Sequence, residues 1–333
     1  MRMRYLDSVR VLAGAVTIAF FASPSHLQPI QIQSTTVATV PAKRLPIIRE
    51  FPVSGEADWV AITPGAVWTT GKQPNVLERI DPQRNRIVAR IPLPGDACAG
   101  IATSTGRAWV PICNGAQRYI IAIDAFTNRT VGRIPFGPPP EGGITTGNGS
   151  VWFTVGDGSI LMQVDEKTLA VRRQVRLVSG SYNPMFDDGH VWITSVEKNV
   201  VSDIAASRGA LVAITRVGPR PRFVTCGAGS VWTLNQGDGS LSRVSETSHR
   251  VIATIPLGIP GTHGDIDFGA QTVWVTFPGV PLTAVDARRN APLIQWVGSG
   301  GDSLRFGHGS VWLTDLRRGR ILRVAPSARV SRR

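Results

Sequence analysis

Residues 147–154 read GNGSVWFT: a Gly-Asn-Gly turn runs into Val-Trp-Phe-Thr, a strand-forming run with a large aromatic at its centre. The phrase recurs as PGAVWTT (64–70), TGRAWVP (105–111), DGHVWIT (188–194), GAGSVWTL (227–234), AQTVWVT (270–276) and GHGSVWLT (307–314). The tryptophans are Trp68, Trp109, Trp152, Trp192, Trp232, Trp274 and Trp312, spaced by 41, 43, 40, 40, 42 and 38 residues. A sustained period near forty is the mark of a repeat architecture.

Each period holds four short strand-like runs. In the second they are AGIATS (99–104), AWVPIC (108–113), YIIAID (119–124) and TVGRIPF (130–136), joined by hairpin turns. Third-to-fourth turns recur as DPQRN, DEKT, SETSH and DARRN, and two GDGS phrases (156–159, 237–240) join second to third strands. Four antiparallel strands per unit, with no helical stripe between them, predict an all-β, seven-bladed β-propeller. The last unit lacks a convincing fourth strand. PIIREFPVSG (46–55) precedes the first unit and matches fourth strands such as VARIPLPG (88–95) and IATIPLG (252–258). Residues 46–53 are therefore expected to supply the outer strand of the last blade, closing the ring and covering an exposed edge.

Side chains alternate across a strand, and propeller sheets are covered on both faces. The seven tryptophans are thus expected to be wedges between blades, each burying on the order of 200 Å². Trp59 and Trp296 fall outside the repeat and are also read as packing.

Of 333 residues only 18% are charged, with 35 Gly and 24 Pro, a composition of strands and turns. MRMRYLDSVR, the apolar run VLAGAVTIAFFA (11–22) and the small residues Ser23 and Ser25 have the layout of a secretory signal peptide over 1–25. An uncleaved anchor is the alternative. Residues 26–45 read as a flexible lead-in, 46–325 as the propeller and 326–333 as a basic tail. Export places the chain in the periplasm or outside the cell. Net charge is +13, but the arginines are scattered along strands, which excludes a nucleic-acid signature and leaves a soluble basic surface on a monomer.

Three cysteines are present. The hairpin at Thr105–Gly106 sets Cys98 opposite Cys113, so an exported chain is expected to join them, two reduced thiols being the alternative. A one-residue register slip would spoil the pairing. Cys226 lies within a first strand and reads as a buried small hydrophobe.

The phrase GxGSVWxT followed by xxxVxRIDxxTxxVxxxIPxG resembles the exported propellers of the YVTN/YncE-like type and equally those of the streptogramin (virginiamycin B) lyase-like group, over about 46–325. The resemblance implies a binding or scaffold module at the propeller face for a small molecule or protein. In its lyase branch it implies a Mg-assisted elimination opening a cyclic depsipeptide, with two His and a Glu at the tunnel. That is a carbon-oxygen lyase activity.

Measured back from each Trp, the fourth-to-first-strand connections carry Glu56 and Asp58, Cys98, Glu141, Tyr182 and Asn183, Arg222, His263 and Asp265, and Asp302. These are expected to ring a channel mouth roughly 10–15 Å wide. Polar mouths are wet in any case. A ligand site there would use these residues, with Glu141 and Asp302 as carboxylates for Mg²⁺ or Ca²⁺ and His263 as the one candidate base. No GxSxG, HExxH, P-loop or CxxC occurs.

Overall fold

In GNGSVWFT, Asn148 and Gly149 both take positive φ, 50° and 64°, and Gly147 pairs with Ser150 across them. Two such residues in succession make the tight turn whose twist matches the flanking strands. The computed structural model describes residues 37–259, 261 and 263–326. The proposed signal peptide, the first part of the lead-in (26–36) and all but the start of the tail lie outside the described residues.

Blade 3 shows the unit: Ile144–Gly147, Ser150–Val155, Ile160–Asp165 and Val171–Arg176 pair in sequence, each antiparallel to the last. Seven such sheets form, and innermost strands pack on those of both neighbours from blade 1 round to blade 7 and back. The chain is an all-β, seven-bladed β-propeller. Ile47–Pro52 is the outer strand of blade 7, with Phe51 opposite Ile321 and Pro52 opposite Arg320. The N-to-C closure is therefore as the sequence reads.

Residues 37–45 differ from a free lead-in. Thr39–Pro41 adds a fifth strand to blade 6, parallel to Ala291–Val297, and the Ala38 carbonyl accepts the Gln295 amide at 2.9 Å. Leu45 packs with Trp296, Leu282 and Leu322. Proline-punctuated composition hides this strand because the neighbouring blade edge supplies its hydrogen bonds.

Six repeat tryptophans are fully buried, and Trp192 is 2% exposed. Each packs into the following blade: Trp152 of blade 3 meets Val191, Ile193 and Ile204 of blade 4, and Trp312 of blade 7 meets Val60, Val67 and Ile80 of blade 1. The indole N–H of Trp152, Trp232, Trp274 and Trp312 donates to the carbonyl five residues earlier, while Trp68 and Trp109 donate to Thr63 and Ser104 hydroxyls there. A buried donor without a partner would be costly.

Arginines that raise the net charge are partly consumed inside this frame. Arg79, Arg243 and Arg323 lie opposite Trp68, Trp232 and Trp312 on the third strands, and their guanidinium groups sit 4.8–5.6 Å from those rings. Each then donates to an asparagine in the next blade's outer turn: Asn128 at 3.2 Å, Asn290 at 2.8 Å and Asn85 at 2.6 Å. Those turns, and the matching turn of blade 3, are set by aspartates 81, 124, 286 and 165, whose carboxylates accept the amides two and three residues on. Backbone bonds, chiefly from Thr168, hold Asp165 down at about 2.

Cys98 and Cys113 are joined by a disulfide with Cα atoms 5.7 Å apart. Cys113 pairs with Asp96 in an antiparallel bridge, two residues off the register of the Ser104–Arg107 hairpin, and the disulfide forms beside it. Closing this 15-residue separation contributes about 3 kcal/mol in the chain-entropy account.

Candidate functional site

The connections entering the innermost strands converge at one end of the ring. There Trp59, Glu141, Arg222, Phe223, His263, Gly264, Asp302 and Ser303 surround a small opening of about 20 Å³, room for roughly one water. Trp59 and Phe223 also border the chamber beneath, about 320 Å³ between the innermost strands. They make an aromatic neck, so Trp59 packs and lines the site at once.

Blade 1 and the approach to blade 7 supply an acid pair. The carboxyls of Asp58 and Asp302 lie close enough to act on each other's charge, and Lys72 Nζ lies 2.6 Å from Asp58. Burial, then the charge of Asp58, pushes Asp302 up to about 7. Burial raises Asp58 also, against the pull of Lys72. Burial alone would lower Lys72, but the Asp58 charge outweighs it and the net shift is upward. Two neighbouring carboxyls cannot both ionise cheaply, so Asp302 keeps its proton well above the ordinary carboxylate range.

The opposite wall is a stack. Arg222 lies 4.9 Å from the Tyr182 ring centre and 5.4 Å from that of Phe223, and donates to the Glu141 carbonyl at 3.1 Å. The Glu141 carboxylate, 52% exposed, stands 3.7 Å from the same guanidinium. Glu141 takes φ of 62°, held there by its amide on the Cys98 carbonyl at 2.7 Å. The disulfide blade thereby positions this residue. Tyr182 donates its hydroxyl to Pro140, and Asn183 donates to the Arg222 carbonyl.

Not every expected residue is at the opening. Asp265 is buried below it, accepting from Ser303, Leu304 and Arg305 at 2.8, 3.2 and 2.6 Å. It clamps blade 6 to blade 7. Strand alternation turns it inward, where Arg305 neutralises it. Asn183 is buried and structural, and Glu56 is exposed at the start of the first strand, outside the lining. His263 is exposed at the rim, its carbonyl held by Gln236. Lys72 escaped the reading because it ends a second strand, outside the connections that were aligned. Phe223 looked like an ordinary strand residue.

A resident Mg²⁺ or Ca²⁺ on Glu141 and Asp302 does not fit this arrangement. Glu141 faces Arg222, Asp58 faces Lys72 and Asp302 holds a proton to about pH 7. Among the described residues, no three ligand atoms at this end come within 4.8 Å of one another. A two-histidine lyase set is likewise not assembled: His190 and His249 both bind Asp203, and His308 binds the Thr63 carbonyl.

The acid pair makes stability depend on pH. Folded, Asp302 keeps its proton to about pH 7; unfolded, it releases it near the ordinary carboxylate value of 3.8. The folded state thus binds the extra proton between those values, and its stability falls as pH rises through 7. Asp302→Asn is neutral at every pH and places no second charge beside Asp58. It is expected to match the wild type at pH 4 and to exceed it at pH 8 by about 2–4 kcal/mol, read by urea unfolding. Parallel curves at both pH values would refute the raised Asp302 carboxyl.

No protein-family model matches the sequence, and no curated protein matches it. Solved structures do. RRP9 WD40 repeats superpose with a TM-score of 0.69 at 11% identity, covering 84% of this chain and 99% of that one. U3-55K gives 0.69 at 10%, covering 85% and 99%. BamB from Moraxella catarrhalis gives 0.59 at 9%, covering 84% and 99%. At such identities the likeness shows the propeller fold.

Proposed function

We propose that the chain is an exported binding or scaffold propeller that docks its ligand at the Asp58–Asp302 end of the channel. The observation that carries this reading is the convergence of Asp58, Lys72, Glu141, Tyr182, Arg222, His263 and Asp302, from six blades, on one narrow opening. Charges there are paired among themselves, so the rim offers directional donors and acceptors with little net field. Such a surface suits a polar side chain or small polar molecule entering past Trp59 and Phe223 toward a chamber of about 320 Å³, within the usual range for small ligands. The resemblance to exported YVTN/YncE-like propellers and the signal-like N-terminus support a periplasmic or secreted location. No helix among the described residues is long and apolar enough to cross a membrane.

The test is capture from the extracytoplasmic fraction of the source cell by the immobilised protein. Wild type and Asp188→Ala, on the opposite face, are expected to retain the same ligand or partner. Arg222→Ala with Glu141→Ala is expected to lose it at least tenfold. Equal capture by the mouth variant would overturn the assignment.

A further inference from the structure

Two contacts recur at blade seams, the first at four seams and the second at three, and the seam between blades 4 and 5 replaces both with ionisable residues. In the first contact, a glycine five residues before the Trp of one blade lies under an aromatic of the next. A Cβ on Gly147 would stand 2.1 Å from the Phe186 ring, on Gly227 2.1 Å from Phe268, and on Gly269 1.9 Å from Phe306. Gly307 meets Ile62 in the same way, and the remaining two seams use Thr103 and Thr146 bonded to the previous blade's backbone. Between blades 4 and 5 the corresponding residues are Asp187 and Cys226. The second contact joins a third-strand arginine to an asparagine of the next outer turn. At this seam it is Asp203, opposite Trp192, bound to His249 at 2.9 Å and to His190 at 2.7 Å.

The exchanged residues gather around one point. Single ligand atoms of Asp187, Cys226 and Glu246 all lie within 4.8 Å of one another. Cys226 is half-buried: it packs on the apolar cluster of Trp192, Val224, Val231 and Val244, as a small hydrophobe would, and its thiol also lies near two carboxylates, which the sequence did not show. Oε1 of Glu246 is buried and has no hydrogen-bond partner. A cavity of about 200 Å³, lined by Asp187, Asp188, His190, Trp192, Glu246 and Thr247, opens beside them. His190 is fixed by Nδ1 on Asp203, and its other nitrogen has no partner among the described residues.

We propose that the seam between blades 4 and 5 is a metal site for a divalent ion of the zinc class, held by the Asp187 and Glu246 carboxylates and the Cys226 thiolate. Thiolate with carboxylate and a nearby imidazole suits a borderline ion and disfavours magnesium and calcium. Bonds of about 2.0–2.3 Å put tetrahedral ligand atoms roughly 3.3–3.8 Å apart, a small contraction of the present spacing. Binding displaces the thiol proton to solvent. The fourth position faces the cavity, where water or His190 completes the shell. This end of the ring is opposite the mouth, so the two sites stand independently.

The test uses the full chain with its disulfide intact, which leaves Cys226 as the single free thiol. Cobalt(II) is expected to bind at one equivalent with a thiolate charge-transfer band in the near ultraviolet, and zinc to displace it. Cys226→Ser should abolish the band and weaken zinc binding at least tenfold. The double variant Asp187→Gly with Cys226→Phe restores the contact used at neighbouring seams; it should fold, by its thermal transition, and bind neither ion. Absence of the thiolate band in the folded wild type, or one equivalent retained by the double variant, would overturn the site.

Discussion

Removal of residues 1–54 is expected to abolish cooperative folding. The deletion takes Ile47–Pro52 from blade 7 and leaves Arg320–Val324 as an unpaired edge. It also removes Phe51 and Val53 from a cluster with Trp312, Ile321, Val60 and Ile80, so the contact between the last blade and the first is lost with the strand. Burying two such side chains contributes roughly 1.5–3 kcal/mol each, before the ladder hydrogen bonds and the blade 6 strand at Thr39–Pro41 are counted. A domain of this size has a margin of only about 5–15 kcal/mol. The truncated protein should aggregate through the open edge, and a synthetic peptide of residues 37–54 should restore the transition. A truncated monomer melting within a few degrees of the full chain would show that closure lies elsewhere.

Trp152→Ala is expected to cost about 3–5 kcal/mol, lowering the melting temperature by roughly 6–15 °C. The indole fills the seam against Leu161, Val191, Ile193 and Ile204 with no exposure, and its N–H is satisfied by the Gly147 carbonyl at 3.3 Å. Trp152→Phe should fall between, losing the bond and part of the volume. Trp192→Ala should cost less, because that ring already borders a cavity. If Trp152 served a ligand, its loss would weaken capture and leave the melt unchanged. The opposite pattern is expected.

These tryptophans are why the fold could be read from sequence. A side chain of fixed size recurring every forty residues sets the blade count, and counting strands from it exposes the missing fourth strand of the last blade. The mouth was legible only in outline. Distance from the Trp gives height along the strand, which groups Glu141, Arg222, His263 and Asp302 at one end of the ring. It does not give depth: Asp265 lies in the same interval as His263, yet its side chain turns inward to Arg305. Pairing is also invisible in the repeat. Lys72 reaches Asp58 from a different strand, and the raised Asp302 carboxyl owes its shift first to burial that composition does not encode. The carboxylates near Cys226 were missed because a small residue in a first strand has the same pattern whether it meets Phe or Asp187.

Ligand binding at the Asp58–Asp302 end of the ring is the central claim to test. Hydrogen exchange of the ligand-loaded protein against the free protein measures this directly. Protection is expected in the backbone around Asp58, Glu141, Tyr182, Arg222 and Asp302, with the hairpins at Asn148–Gly149 and Asp188–Gly189 unchanged. Protection confined to those hairpins would place recognition at the other face and contradict the assignment.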